Sequence, residues 1–164
     1  MRRDQKQSNA ESGGDYSGQG KRFAVVVARF NHAVTSKLLE GAQNALAEYG
    51  VEEQDVKIVW TPGAFEIPLM AKRLAQTGLY AGVVCLGAVI RGETAHFEYV
   101  AHNATTGVSR AALDTDVPMA LGILTTDTVE QAMERALPDS TNKGFEAALA
   151  TLEMANLLDG LDGR

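Results

Sequence analysis

Hydrophobic residues along the chain gather into four short, almost continuously apolar runs. Such runs are typical of β-strands buried on both faces, and they predict strands at residues 23–30, 56–61, 83–90 and 119–125. The segments that follow them carry residues that start and stop helices. These segments predict helices at residues 32–49, 65–76, 94–113, 128–137 and 143–158.

The first predicted helix shows the pattern most clearly. Asn31 is a suitable N-cap, Val34, Leu38 and Ala42 share one face, and Gly50 ends the helix. The strict alternation of strand and helix predicts an α/β fold, a flavodoxin-like three-layer α/β/α sandwich around a four-stranded parallel sheet. Ligands of such sheets bind beyond the carboxyl ends of the strands, so the residues that follow each strand are the first candidates for a site.

Both ends of the chain are polar. Residues 1–20 contain hardly an apolar side chain and are predicted to be a disordered tail, residues 159–164 form a second tail, and a single domain lies between them at residues 21–158. The leader lacks the apolar stretch of a signal peptide, and Asp4, Glu11 and Asp15 argue against an organellar transit peptide. We therefore expect a cytoplasmic protein with no membrane partner.

Composition excludes several classes of function. A length of 164 residues with 45% hydrophobic residues suits one domain with a core, and a net charge of −6 without a basic stripe argues against a nucleic-acid partner. The chain has none of the spacings typical of metal sites, dinucleotide-binding loops or nucleoside-triphosphate loops. The single cysteine, Cys85, lies inside an apolar run and is interpreted as a small core residue rather than a nucleophile.

The most informative stretch is VVCLGAVIRGETAHFEYV at residues 83–100. The apolar run breaks at Arg91-Gly92 and a helical pattern starts at Glu93-Thr94, so free backbone N–H groups coincide with the positive end of a helix dipole. That arrangement favours an anion such as phosphate. His96 places a titratable imidazole beside it, which predicts acid–base chemistry on a phosphorylated small molecule. A histidine at this position is also common as a solvated or capping residue.

The other strand ends add groups that suit a ring-shaped ligand. Phe30 and Asn31 follow the first strand and Glu66 follows the second. Together with the anion site they suit a flat, polar heterocycle with hydroxyl groups alongside a phosphate. Each has a structural explanation as well. Phe30 can be the last core residue of its strand, and Glu66 can be a carboxylate that favours a helix N-terminus.

Five short strings carry a resemblance to a known family: ARFN at 28–31, PGAFEIP at 62–68, LGAVIRGETAHFEYV at 86–100, LTT at 124–126 and NKG at 142–144. In their order and coverage they resemble lumazine synthase. The resemblance implies a step of riboflavin biosynthesis, in which 5-amino-6-(D-ribitylamino)uracil condenses with L-3,4-dihydroxy-2-butanone 4-phosphate. The implied products are 6,7-dimethyl-8-ribityllumazine, phosphate and water, and the implied reaction needs neither a metal nor an organic cofactor.

The resemblance also assigns roles to individual residues. It makes His96 the catalytic residue that moves protons. It gives phosphate binding to Gly92, Glu93, Thr94 and Arg135, the last from a neighbouring subunit. It gives substrate binding to Phe30, Asn31, Ala64, Phe65, Glu66, Val89, Ile90, Leu121, Lys143 and Glu146. We expect Glu93 to point away from the phosphate, because its carboxylate would repel that anion. Arg135 and Lys143 can also be explained as a solvated helix residue and a neighbour of an N-cap at Asn142.

Leu121 departs from the family pattern, which usually has a phenylalanine at this position. A leucine still packs on an aromatic face but loses the ring–ring term of about 0.5–1.5 kcal/mol, so we expect an effect on substrate affinity and none on the reaction class. The resemblance implies a homo-oligomer. Pro138 restricts the turn at residues 137–141, which favours an isolated pentamer over a sixty-subunit shell.

Two other classes of protein share the predicted fold. A non-catalytic receiver-like or flavodoxin-like binding module needs an acidic cluster or a phosphate loop after the first strand, where this chain has Arg29-Phe30-Asn31. A shell-forming protein without catalysis is the second alternative. The presence of Phe30, Glu66, His96 and Lys143 argues against it.

Overall fold

The computed structural model describes residues 14–163 and contains one parallel sheet of four strands. The strands are β1 (Phe23–Ala28), β2 (Val56–Thr61), β3 (Gly82–Ile90) and β4 (Met119–Thr126), and their order across the sheet is β2-β1-β3-β4. All three neighbouring pairs are parallel. The predicted α/β/α sandwich with a four-stranded parallel sheet is therefore confirmed.

Five α-helices cover the two faces of the sheet. They are α1 (His32–Glu48), α2 (Ile67–Gln76), α3 (His96–Thr115), α4 (Val129–Glu134) and α5 (Lys143–Leu161). Helices α1 and α5 pack on each other over one face, which α4 also contacts, and α2 and α3 pack together over the other. No helix within residues 14–163 is long and apolar enough to cross a bilayer.

Strand β1 shows how the sequence produces two cores. All six of its residues are buried, and alternate side chains point to opposite faces of a strand. Phe23, Val25 and Val27 belong to the core beneath α1 and α5. Ala24, Val26 and Ala28 belong to the core beneath α2 and α3. Both faces of β1 are thus buried, as expected for a parallel sheet with helices on each side.

Several predicted boundaries are wrong by a few residues. Strand β1 ends at Ala28 rather than at residue 30, and α3 begins at His96 rather than at residue 94. Helix α4 ends at Glu134 rather than at residue 137, because the backbone there turns so that the Lys143 N–H can donate to the Arg135 carbonyl at 2.9 Å. Helix α5 continues to Leu161, through the start of the predicted C-terminal tail.

Residues 14–21, here called the N-terminal strap, lie against the domain, whereas the sequence predicts a disordered tail up to residue 20. The Gly18 N–H donates to the Tyr49 carbonyl at 2.8 Å, and the Tyr16 and Tyr49 rings lie 5.5 Å apart. The Asn156 amide donates to the carbonyls of Asp15 and Ser17 at 2.8 and 2.9 Å. The part of the predicted tail at residues 1–13 lies outside the described residues.

Candidate active site

A cleft of about 590 Å³, here called the main cleft, opens beyond the carboxyl ends of β1, β2 and β3. The structure brings together there most of the predicted site residues: Phe30, Asn31, Ala64, Phe65, Glu66, Val89, Ile90, Gly92, Thr94 and His96. Five further residues that the sequence analysis did not single out also line it: Pro62, Gly63, Ala88, Phe97 and Val100. The main cleft therefore occupies the position in which α/β sheets bind ligands.

The Phe30–Asn31 turn forms one wall of the main cleft. The N–H groups of Arg29 and Phe30 donate to the carbonyls of Thr61 and Pro62 at 2.8 and 3.1 Å, so the turn stays tied to the end of β2. The Phe30 side chain is 72% exposed, which contradicts its alternative interpretation as a core residue. Its ring is open to a ligand in the cleft.

Asn31 has a different role from the predicted N-cap. It occupies the N-cap position of α1, but its side chain makes no capping hydrogen bond and its φ of 62° is left-handed. Asparagine tolerates this conformation better than most residues. Its amide instead donates to the Ala88 carbonyl on β3 at 2.7 Å. Asn31 thus joins the end of β1 to β3 across the main cleft.

Glu66 is held by its own turn. Residues Ala64–Glu66 form a 3₁₀ turn before α2, and the Glu66 Oε2 atom accepts a hydrogen bond from the Gly63 N–H at 3.1 Å. This capping contact agrees with the structural explanation of Glu66 given above. The side chain is also exposed and lines the main cleft, so its second oxygen remains open to a ligand hydroxyl.

The segment at residues 91–95 connects β3 to α3 and is exposed throughout. Within the described part of the chain, the N–H groups of Gly92, Glu93 and Thr94 find no acceptor. His96 is the first residue of α3 and is also exposed, and Glu93 does not line the main cleft. Three free amides beside a helix N-terminus and an imidazole are an arrangement suited to an anion that exchanges protons.

The remaining predicted residues lie elsewhere, in a pocket of about 470 Å³ between β4 and α5 that we call the β4–α5 pocket. It is lined by Leu121, Arg135, Lys143 and Glu146. Leu121 is 49% exposed, and the Lys143 Nζ forms an ion pair with Glu146 at 2.7 Å. The Arg135 guanidinium donates to the Gln131 carbonyl at 2.9 Å. The predicted site is therefore divided between two pockets within one chain.

Two features near the main cleft escaped the sequence analysis. The Arg91 guanidinium forms ion pairs with Glu98 and Asp127, each at 2.8 Å, and lies 4.4 Å from the centre of the Phe97 ring. The His32 and Trp60 rings stack at 5.3 Å. Only Phe97 and Glu98 lie within seven residues of Arg91, whereas Asp127 is distant from Arg91 along the chain and Trp60 is distant from His32, so those contacts have no local sequence signal.

The pKa shifts of two ionisable groups, Cys85 and Arg91, bear on their roles near the site. Burial raises the pKa of the Cys85 thiol to about 12, which agrees with a core residue and disfavours a nucleophile. The hydrogen bond to Asp127, and then the one to Glu98, raise the pKa of Arg91 above its usual value. Within residues 14–163 no group of three or more His, Cys, Asp or Glu side chains is placed to hold a metal ion.

The chain matches a known protein family. A family model described as 6,7-dimethyl-8-ribityllumazine synthase matches residues 20–159. The match includes β1–β4, the main cleft and the β4–α5 pocket, and it spans well over half of the 164 residues.

Proposed function

The chain belongs to the 6,7-dimethyl-8-ribityllumazine synthase family, and on that premise we propose that it catalyses lumazine formation in riboflavin biosynthesis. The substrates would be 5-amino-6-(D-ribitylamino)uracil and L-3,4-dihydroxy-2-butanone 4-phosphate. The observation that carries the proposal is the main cleft, which combines an exposed aromatic ring, a free carboxylate oxygen, three free amides and an imidazole.

In this proposal the ribitylaminouracil lies along the walls formed by β1 and β2. The exposed Phe30 ring would stack on the pyrimidine, with Asn31 beside it. Backbone groups of Val89 and Ile90, at the end of β3, would hold the edge of the uracil. The 3₁₀ turn containing Ala64, Phe65 and Glu66 would bind the ribityl chain, and the free Glu66 oxygen would accept hydrogen bonds from its hydroxyls.

The phosphorylated ketone would lie at the segment after β3. The free amides of Gly92, Glu93 and Thr94 would bind the phosphate, and Arg135 of a neighbouring subunit would add positive charge. The exposed backbone of Glu93 would take part while its carboxylate stays outside the cleft. Such donors stabilise the charge that develops as phosphate leaves.

The reaction then consists of proton transfers between bound partners. The aryl amine attacks the ketone carbon and water leaves to give an imine. Elimination breaks the bond between carbon and phosphate oxygen, and ring closure releases a second water. His96, exposed at the start of α3, would accept and return these protons. Holding the two substrates together would contribute much of the acceleration.

The two pockets support a site shared between subunits. Leu121, Arg135, Lys143 and Glu146 lie in the β4–α5 pocket rather than in the main cleft, so one chain alone presents two incomplete halves. We infer a homo-oligomer in which one subunit's β4–α5 pocket covers the next subunit's main cleft. Pro138, in the turn before α5, favours a pentamer. Static light scattering that gives a mass near sixty chains would contradict the pentamer.

Formation of the fluorescent lumazine tests the proposed reaction directly. We expect the purified protein to release lumazine and inorganic phosphate in equal amounts when both substrates are present. The reaction should proceed in the presence of a metal chelator. A protein that binds both substrates and releases neither product would overturn the proposal and favour a binding or shell-forming role.

A further inference from the structure

We infer that Arg91 is a positioning residue, which fixes the phosphate-binding segment and the start of α3 without itself binding phosphate; the inference rests on the proposed function. Arg91 with its partners Phe97, Glu98 and Asp127 is here called the Arg91 cluster. The cluster joins three elements, the end of β3, the first turn of α3 and the residue after β4.

The backbone shows why this segment needs a positioning contact. The Arg91 N–H donates to the Thr126 carbonyl at 2.9 Å and so continues the β3–β4 pairing by one residue. After Arg91, within the described chain, the next three N–H groups have no acceptor. Free amides can bind an anion only if their directions are already fixed. The segment is therefore anchored at its two ends, by Arg91 and by the first turn of α3.

The side chain of Arg91 connects those two ends. Its Nη1 donates to Glu98 in the first turn of α3, and its Nε donates to Asp127 at the end of β4, each at 2.8 Å. A guanidinium that forks between two carboxylates has a defined orientation. Its remaining contact is the Phe97 ring at 4.4 Å. The helix start that carries His96 is thereby fixed relative to the sheet.

The placement of the guanidinium argues against direct phosphate binding. Arg91, Glu98 and Asp127 line a groove between α3 and β4, whereas Arg91 is not among the residues that line the main cleft. Phe97 lines both, and the guanidinium lies 4.4 Å from the centre of its ring. Two carboxylates already compensate the single positive charge of Arg91. Arg135 lines the same groove and is likewise absent from the main cleft of its own chain, so the proposed positive charge for the phosphate is Arg135 of the neighbouring subunit.

Removing the carboxylates distinguishes positioning from direct binding, because the two roles predict opposite changes in the affinity for phosphate. Asp127→Asn or Glu98→Gln takes a negative charge away from the phosphate segment. If Arg91 were a phosphate ligand held back by these carboxylates, either substitution would free it and tighten phosphate binding. If Arg91 positions the segment, either substitution loosens it and weakens phosphate binding.

The experiment uses the full-length protein with inorganic phosphate as the probe, measured as a competitive inhibitor against the phosphorylated ketone. We expect Arg91→Gln, Asp127→Asn and Glu98→Gln each to weaken phosphate binding and to raise KM for the ketone by about 10-fold, within the range that small misplacements of binding groups cause. The Arg91→Gln/Asp127→Asn double variant should match Arg91→Gln alone, because Arg91→Gln already removes the ion pair with Asp127. Arg91→Lys, which cannot fork between both carboxylates, should recover only part of the loss.

Two measurements separate positioning from general loss of structure. Affinity for the ribitylaminouracil, which carries no phosphate, should stay within about 2-fold of the wild type. Its proposed contacts lie on β1, on β2 and at Val89 and Ile90 of β3, which stay paired with β4 when the side chain of Arg91 is changed. Arg110→Gln is the matched control, because it breaks an exposed ion pair with Asp114 on the same helix. We expect that control to leave phosphate inhibition unchanged.

Tighter phosphate binding by Asp127→Asn or Glu98→Gln would overturn the inference and make Arg91 a ligand. Wild-type phosphate inhibition in all three variants of the Arg91 cluster would overturn it as well. A wild-type protein that forms no lumazine would overturn the proposed function instead, and the inference with it. The wild-type assay therefore distinguishes the two failures.

Discussion

Phe30 leaves most of its ring in solvent only two residues after the last of six buried strand residues. A chain that follows the hydrophobic pattern would bury such a ring, since full burial of a phenylalanine contributes roughly 1.5–3 kcal/mol. The neighbouring Asn31 holds a left-handed backbone conformation and reaches across to β3. Both residues therefore lower the stability of the free protein, at a position where a bound ligand would provide the contacts that the chain does not. Departures from local rules of this kind are expected at functional sites.

His96 carries the first prediction. We expect His96→Ala to lower kcat by about 10- to 10⁴-fold, because general acid–base catalysis contributes on that scale while substrate positioning continues to supply rate. Binding of both substrates should change little, since the phosphate contacts proposed here come from backbone amides. Steady-state kinetics over pH 5–9 are the measurement. Wild-type kcat with an unchanged pH profile would remove His96 from the mechanism.

Cys85 carries the second prediction. Burial raises the pKa of the Cys85 thiol to about 12, so the reactive thiolate is scarce near neutral pH, and the side chain is fully buried. We expect the folded protein to resist alkylation by iodoacetamide for hours and the urea-unfolded chain to react within minutes. Mass spectrometry measures the adduct, and Gln54→Cys, at an exposed position, is the matched control. Fast alkylation of the native Cys85 would show that β3 opens.

At the scale of elements, the start of α5 depends on Asn142. Its Oδ1 accepts from the N–H groups of Gly144 and Phe145 at 2.8 and 3.1 Å, as an N-cap does. Its Nδ2 donates to the carbonyls of Lys37 and Leu137 at 3.1 and 3.0 Å. One buried side chain thus joins α5 to α1 and to the turn after α4.

We therefore expect Asn142→Ala to lower the free energy of unfolding by about 2–4 kcal/mol, because it removes a cap and leaves buried carbonyls without donors. Asn142→Ser should cost less, since its hydroxyl still caps α5 but is too short to reach Lys37 and Leu137. Urea unfolding at one fixed protein concentration measures both. A loss below about 0.5 kcal/mol for Asn142→Ala would contradict this role, because it lies under the usual value of a cap.

The sequence alone predicts the helices and strands that are defined by local patterns of apolar, capping and turn residues. Strand β2 has its predicted bounds, and each predicted strand and α-helix is present, although the 3₁₀ turns at Glu53–Asp55 and Ala64–Glu66 are not predicted. The predicted bounds are wrong where tertiary contacts determine the end of an element. Strand β1 ends before Phe30 because the turn there is hydrogen-bonded to the end of β2. Helix α3 begins later than predicted, after the segment proposed to bind phosphate. The sequence also could not show that Asn31 reaches Ala88, 57 residues away.

The N-terminal strap was missed for the same reason. Its few apolar groups, chiefly Tyr16, give no periodic pattern, and its partner Asn156 lies about 140 residues further along the chain. Lys21 adds an ion pair with Asp159 at 2.6 Å, beyond the predicted end of the last helix. Contacts between segments that are far apart along the chain cannot be predicted from the composition of either segment alone. The ion pair between Arg91 and Asp127 could not be predicted for the same reason, since the two residues are 36 positions apart.

At the scale of the whole molecule, the shared site predicts complementation. We expect His96→Ala and Arg135→Ala each to have reduced activity alone, the former through kcat and the latter through loss of affinity for the phosphorylated ketone, because charge-assisted hydrogen bonds contribute roughly 1.5–3 kcal/mol. Unfolding the two variants together and refolding them as a mixture should restore part of the activity. Wherever an intact main cleft meets an intact β4–α5 pocket, one complete site forms.

The controls are the same variants refolded separately and mixed only afterwards, without exchange of subunits. Activity that stays at the level of either parent after joint refolding would place Arg135 and His96 in the same chain's site. Binding of the ribitylaminouracil to Arg135→Ala should match the wild type in either case, because that substrate carries no phosphate. This second measurement checks that the variant assembles and folds.

The N-terminal strap has a practical consequence for handling the protein. It joins the sheet at the beginning of β1, whereas the main cleft lies beyond the end of that strand, and six strand residues separate the two by about 20 Å. Asn156 and Asp159 fix the strap to the far end of α5. A fluorescent label attached to an exposed residue of the strap, such as Gln19, would therefore lie at the end of the sheet opposite the main cleft. Labelling or immobilisation through that position would leave the residues of the main cleft unmodified.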